Sequence, residues 1–366
     1  MTTLLIKDSL RAAVEKTSAG RQTVLYTASG QPSFMYPLAQ FGIDAQAQLS
    51  NDPATPSHPA FVVAGLVRRE FFYGVYQGVL RNGELLSLPG QDPQRGLDFD
   101  AFSKSARACG PGWHLSTNAE WAALMLWCVS NGFSPRGNSD YGRSIEAAQE
   151  QGSRVCEHDP DNAATLGGSG PLSWRHNNSA DGIADLSGNL WEWQAGVRLV
   201  DGEIQIIADN DALSANLDSC SNAWRSIRLS DGELLLPGNP ASAKYDARAP
   251  CIQGNAGAPL LSSRVRHRTG EAGSNLNTSG LMDADFNAIS TTTGVQVPAI
   301  LKALGLFPMH EVLDGDQVYL RNYGERLLLR GGAWYSGGCA GLRSLCLSHP
   351  RKHASLTVGG RPAFAL

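Results

Sequence analysis

Seven glycines and two prolines fall within one stretch near the C-terminus, R-G-G-A-W-Y-S-G-G-C-A-G-L-R-S-L-C-L-S-H-P-R-K-H-A-S-L-T-V-G-G-R-P, residues 330–362. Each glycine inside a helix costs about 1 kcal/mol relative to alanine, and proline removes a backbone donor and blocks the preceding turn. This stretch is therefore expected as turns and short extended pieces. The glycine pairs at 331–332 and 359–360 mark places where the backbone takes a positive φ or approaches a neighbour closely. The residues between them follow neither the helical nor the strand period. A rigid frame with aperiodic filling fits an active site, a metal site or a binding face.

The rest of the chain has the same character. Among 366 residues there are 40 Gly and 19 Pro, and charged residues make up 17%, below the usual quarter. Eight Trp supply large apolar area to hold irregular backbone together. The formal net charge of −4 argues against a nucleic-acid partner. The densest basic run, R-V-R-H-R at 264–268, reads as a solvated loop. Cysteines at 109, 128, 156, 220, 251, 339 and 346 are odd in number and include no Cys-x-x-Cys pair, so no zinc site is expected. Asp209-Asn210-Asp211 and Asp159-Pro160-Asp161-Asn162 carry hard oxygen donors that suit calcium, but read first as turns. No other cofactor is expected. His349 and His353 lack a clear third metal ligand, and Pro350 breaks any helix that would align them. The N-terminus has no secretory pattern, and W-A-A-L-M-L-W-C-V at 121–129 is too short to span a bilayer, so no membrane insertion is expected.

Two helices are well signalled. In 98–109, Phe99, Phe102 and Ala106 share one face. The second begins at T-N-A-E-W, with Thr117 as N-cap and Glu120 completing a capping box, and carries Trp121, Leu124, Met125 and Cys128 as an apolar stripe. Residues 1–16 and 298–305 read as shorter helices. Phe61 to Leu80 reads as two strands, Asp201-Gly202 and Asp231-Gly232 as hairpin turns, and Leu327 to Trp334 and the last ten residues as strands. Two main helices, short antiparallel strands and no βαβ rhythm give an α+β fold. The turn-rich N-D-P-A-T-P-S-H-P at 51–59 reads as a linker. It divides an attachment or oligomerisation segment, 1–57, from a domain at 58–366.

Three motifs in order, G-P-G-W-H-L-S-T-N-A-E-W (110–121), G-I-A-D-L-S-G-N-L-W-E-W (182–193) and L-L-R-G-G-A-W followed by G-L-R and G-G-R-P (328–362), carry a resemblance. They look like the signature of the formylglycine-generating-enzyme group, a branch of the C-type lectin fold. Within that group the chain resembles the variable proteins of diversity-generating retroelements. That resemblance implies a ligand-binding protein, not an enzyme, displaying a face mutagenised at adenines. Its partner would be a cell-surface protein or glycan, and its setting a phage tail fibre, or alternatively a bacterial cytoplasm or cell surface. The alternative is the group's thiol oxidoreductase. The two redox cysteines of that chemistry would fall on Ser336 and Gly341, and neither is a thiol.

Adenine replacement in Asn codons never yields Lys, Trp, Met, Gln or Glu. Ala333, Tyr335, Ser336, Gly337, Cys339, Ser344, Cys346, Ser348, His349, His353, Ser355, Leu356 and Thr357 all lie outside that excluded set and are the candidate ligand contacts; Lys352 lies within it. Gly331, Gly332, Trp334, Arg343 and Arg361 are the candidate framework. The two arginines are expected to tie loops through buried forked bonds, with Asp185 and Glu192 as partners. The contact residues are expected on loops, where substitution spares the core. His349 and His353 are expected to change charge near neutral pH.

Overall fold

A computed structural model describes residues 8–44, 46–52, 54–157, 159, 162–250, 254, 256–277, 280–309 and 315–366. The helices are α1 (Ser9–Thr17), α2 (Phe99–Arg107), α3 (Asn118–Ser130) and α4 (Ala299–Ala303). The strands that position the site are β1 (Thr23–Tyr26), β2 (Pro32–Ala39), β3 (Glu70–Gly74), β4 (Trp113–Leu115), β5 (Trp191–Val200), β6 (Glu203–Ile207), β7 (Met282–Asp285), β8 (Gln317–Leu320), β9 (Glu325–Gly331), β10 (Gly341–His349), β11 (Val358–Gly360) and β12 (Pro362–Phe364). The fold is α+β.

One sheet is antiparallel throughout, in the order β1-β2-β3-β12-β4. The larger sheet runs β7-β8-β10-β9-β5-β6 and continues through Lys244–Ala247, Pro259–Ser262 and Ser290–Thr291. It is mixed rather than antiparallel: β8 pairs with β10, and β11 with β5, in parallel. The first sheet also corrects the expected division at residue 57. Tyr36 of β2 lies opposite Tyr73 of β3, so residues before and after 51–59 share one sheet, and that stretch does not link separate units.

Local chemistry sets the main elements. Asp98 caps α2 by accepting the Ala101 N–H, and Phe99, Phe102 and Ala106 are buried as the periodicity requires. The capping box of α3 is present in full: Thr117 accepts from the Glu120 N–H, and Glu120 from the Thr117 N–H. The expected single stripe on α3 is too narrow, however. Residues 118–126 and Cys128 are all buried, because the helix is enclosed on nearly every side. Asp201-Gly202 turns β5 into β6 with both residues at positive φ, as a two-residue hairpin demands.

β11 and β12 are separated by one residue, Arg361. β11 lies along Trp191–Trp193 of the large sheet, and β12 enters the other sheet between β3 and β4. Arg361 therefore sits where the two sheets meet, fully buried.

Candidate binding face

The framework is built on buried polar groups. Arg361 forks onto Glu192, with Nε–H donating to Oε2 at 2.9 Å and Nη2–H to Oε1 at 2.6 Å, and it also donates to the carbonyls of Gly74 and Ala184. Gln77 adds a further bond to Glu192. Glu192 is the expected partner; Asp185 takes part through its backbone carbonyl, and its carboxylate instead accepts from the Gly168 N–H. Burial raises the Asp185 carboxyl above its ordinary range.

Arg343 is the other expected framework arginine. It is half-buried on β10 and lines a cleft of about 500 Å³ beside Asp316, which accepts its backbone N–H. The second buried fork belongs to Arg330, unassigned from sequence, which donates to Asn118 Oδ1 and to the carbonyls of Leu304 and Gly305. Its position at the end of β9, where register makes it face α3, is what selects it. Trp334 is buried against Ala163, Ala164 and Leu190, and Trp121 of α3 donates from its indole to the Leu342 carbonyl at 2.8 Å.

The glycines are required sterically. Gly331 and Gly332 hold φ of 94° and 92°, and a Cβ on Gly332 would meet the Ala340 Cβ at 2.6 Å. A Cβ on Gly341 would lie 1.8 Å from Asp316 Oδ1, so a cysteine there would have to displace that carboxylate. This position is one of the two that the oxidoreductase chemistry would need. The six described cysteines are all free thiols; Cys251 lies outside the described residues. Burial raises the Cys346 thiol, which weakens it as a nucleophile.

The thirteen candidate contacts divide by exposure. Tyr335 and Leu356 are exposed, at 51% and 57%, while Ser336, Gly337, Cys339, His349, His353, Ser355 and Thr357 are half-buried. Ala333, Ser344, Cys346 and Ser348 are buried, which corrects their expected place on a loop surface. The cause is β10: Ser344, Cys346, Ser348 and His349 belong to a strand, with Cys346 facing Tyr319 on one side and Leu329 on the other. Both faces of β10 are covered, so the alternation of Ser344, Cys346 and Ser348 with Leu345 and Leu347 does not mark an exposed face.

The two loops that carry the more exposed candidates lie at either end of this strand. Tyr319 on β8 stands beside Cys339, and its hydroxyl is raised above the ordinary range by burial first and then by that neighbour. The Tyr319 ring meets the Trp191 ring edge-on at 6.0 Å, and the Trp191 N–H donates to the Thr357 carbonyl. Loop 332–340 and loop 350–357 are thus linked through Tyr319 and Trp191. Loop 350–357 is further anchored by Arg351, which bonds Glu325, Asp100 and the Leu217 carbonyl, and by Lys352, which reaches Asp98 and Asp100. Loop 332–340 rests on residues 139–141: the Gly337 N–H donates to Ser139 and the Tyr141 N–H to Trp334. The exposed Tyr141, absent from the candidates, is therefore adjacent to Tyr335. Its only sequence signal is an aromatic residue before a glycine in a turn.

Burial lowers both His349 and His353 from the ordinary histidine value. The rings of His349 and His353 stack at 3.8 Å, and burial, then His353, pushes His349 down to about 3. Two core histidines behave alike, with His58 at about 4 and His176 at about 3, both chiefly through burial. A depressed folded-state value means that the stabilisation is complete above the unfolded value near 6.5 and is lost as pH falls towards the folded values. His58 and His176 together are expected to lower the unfolding free energy by about 4 kcal/mol between pH 7.5 and pH 5. Guanidinium titrations at the two pH values read this directly, and equal midpoints would refute it.

No metal cluster assembles here: among the described residues no three His, Cys, Asp or Glu side chains are grouped to hold an ion. Asp209-Asn210-Asp211 forms a turn in which Asn210 is buried against Thr117, Glu120 and Ala60, and Asp211 accepts the Ala64 N–H. The second calcium candidate falls partly outside the described residues, at Pro160 and Asp161. Among the described residues no helix is long and apolar enough to cross a membrane.

No protein-family model matches the chain, and no curated protein matches it. Among solved structures it is similar to the Major Tropism Determinant U1 Variant, at 11% identity and a TM-score of 0.29 over 90% of this chain and 62% of that one. It is also similar to the Major Tropism Determinant M1 Variant, at 11% identity and a TM-score of 0.31 over 94% of this chain and 71% of that one. The chain thus spans less than two thirds of the U1 Variant.

Proposed function

We propose that loops 332–340 and 350–357 form the contact face of a diversified ligand-binding protein, with a C-type lectin fold of the formylglycine-generating-enzyme type. The face takes a cell-surface protein or glycan, in the setting of a phage tail fibre. Residues 1–57 serve attachment or oligomerisation in addition to completing the first sheet. The observation that carries this proposal is the contrast between side chain and backbone on the two loops. Tyr335 and Leu356 stand exposed, while the chain beneath them is pinned by Gly332, Arg330, Arg351 and Arg361. A tyrosine on a fixed loop offers large contact area at low entropic cost. Ala333, Ser344, Cys346 and Ser348 act as the floor that sets the height of the face.

The genomic test is a reverse-transcriptase gene near a second copy of the 3′ coding segment, differing mainly at adenines. If both are missing and populations show no variation at the thirteen positions, diversification is excluded. The protein test uses Tyr335→Ala and Leu356→Ser. Both changes are expected to leave unfolding free energy within about 0.5 kcal/mol of the parent, since neither side chain completes the core. Binding to receptor-bearing cells is expected to fall. Full binding by the double variant would move the contact face elsewhere.

A further inference from the structure

Segment 139–145 lies outside residues 330–362, yet it is bonded to loop 332–340. Ser139 holds both: its carbonyl accepts the Gly337 N–H at 2.8 Å and its hydroxyl accepts the Ile145 N–H at 3.1 Å. The Tyr141 N–H donates to the Trp334 carbonyl at 2.8 Å. Between these bonds the segment turns sharply. Asp140 and Arg143 exchange backbone bonds around Tyr141-Gly142, a two-residue hairpin loop with both residues at positive φ, 51° and 106°. Such loops favour Asn, Asp or Gly at the first position, because a bulky side chain crowds the backbone there.

Two large apolar side chains on this segment are open to solvent. Tyr141 is 54% exposed and Ile145 is 48% exposed, on the same bonded unit that carries Tyr335 at 51%. Among the described residues the exposed aromatics are Tyr26, Tyr141 and Tyr335. Tyr26 is used within the chain, since its hydroxyl donates to Asp8 and Arg11 lies over its ring. Tyr141 fills no core, and among the described residues its ring and hydroxyl have no partner. The charges around it are engaged with each other: Arg143 pairs with Asp140, and Arg136 with Glu150. Apolar side chains ringed by polar pairs have the layout of a protein contact. Sugar hydroxyls would need polar partners at the centre, and the nearest acid and guanidinium are already bonded together.

We propose that Tyr141 and Ile145 are fixed contacts of the binding face, holding an apolar spot of a partner protein while the side chains of loop 332–340 vary beside them. This rests on the diversified face proposed above. The occupant follows from continuity with that face. A protein contact of ordinary size covers about 800 Å² on each side, so a protein seated on Tyr335 also covers Tyr141. A tyrosine on a fixed turn then supplies contact area that every variant of the face shares.

The test displays the full chain with the nine candidate positions that are not buried randomised, and selects binders of lysozyme and, in parallel, of dextran. Tyr141→Gly and Ile145→Ser are each expected to weaken the lysozyme binders about tenfold, whichever side chains were selected. Tyr141→Gly suits the positive φ, so melting temperature is expected to stay within about 3 °C of the parent. Leu236→Ser, at a 72% exposed position outside this segment and both loops, is expected to leave affinity unchanged. Unchanged affinity in both test variants, or an equal loss in Leu236→Ser, overturns the fixed contacts and leaves the diversified face standing. Failure to obtain any binder overturns both. A loss confined to the dextran binders overturns the assignment to a protein partner.

Discussion

Arg361→Ala is expected to lower the unfolding free energy by about 3–5 kcal/mol, enough to leave most molecules of a marginally stable protein unfolded on modest warming. The change strands Glu192, which is 1% exposed and would keep only Gln77 as a side-chain partner. It also frees the carbonyls of Gly74 and Ala184, which belong to different parts of the chain. Arg361→Lys keeps the charge but not the planar fork, and an intermediate loss is expected. Denaturant unfolding of the parent and the two variants measures the order. Equal stability of Arg361→Ala and parent would mean that the junction between the sheets does not depend on this ion pair.

Gly332→Ala is expected to cost about 3 kcal/mol, the sum of a side chain forced into positive φ and an overpacked contact. The contact is unforgiving because Ala340 meets the new Cβ with its own Cβ at 2.6 Å and its Cα at 2.8 Å, and neither is the end of a flexible chain. Gly338→Ala provides the control within the same loop. Nothing lies within 4 Å of a Cβ there and φ is not positive, so a change within about 0.5 kcal/mol is expected. Similar melting temperatures for the two variants would show that loop 332–340 is not held rigidly.

What the sequence disclosed follows from what is local. The capping box at Thr117, the Asp201-Gly202 hairpin and the apolar face of α2 depend on neighbours within a few residues, and each lies where expected. The pairing of Arg361 with Glu192 was legible because the stretch G-I-A-D-L-S-G-N-L-W-E-W offers a buried guanidinium two carboxylates, Asp185 and Glu192. Arg330 was missed because its partners, Asn118, Leu304 and Gly305, lie far away in sequence and two of them offer only carbonyls. The buried floor was missed for a related reason. Ser344, Cys346 and Ser348 alternate with Leu345 and Leu347, yet both sets are covered, so polarity did not report burial. The division at residue 57 failed because pairing of β2 with β3 bridges the turn-rich stretch, and long-range pairing leaves no local mark.

The insertion of β12 between β3 and β4 has a consequence for how the protein is made. Its three residues, Pro362–Phe364, are synthesised after every other described strand, yet they occupy an interior place in a sheet whose other strands all precede residue 116. Until they leave the ribosome, β3 and β4 each present an unpaired edge, and the nascent chain must wait with its first sheet open. Deleting Pro362–Phe364 would therefore damage the sheet built by the earliest strands, not the large sheet nearest to it in sequence.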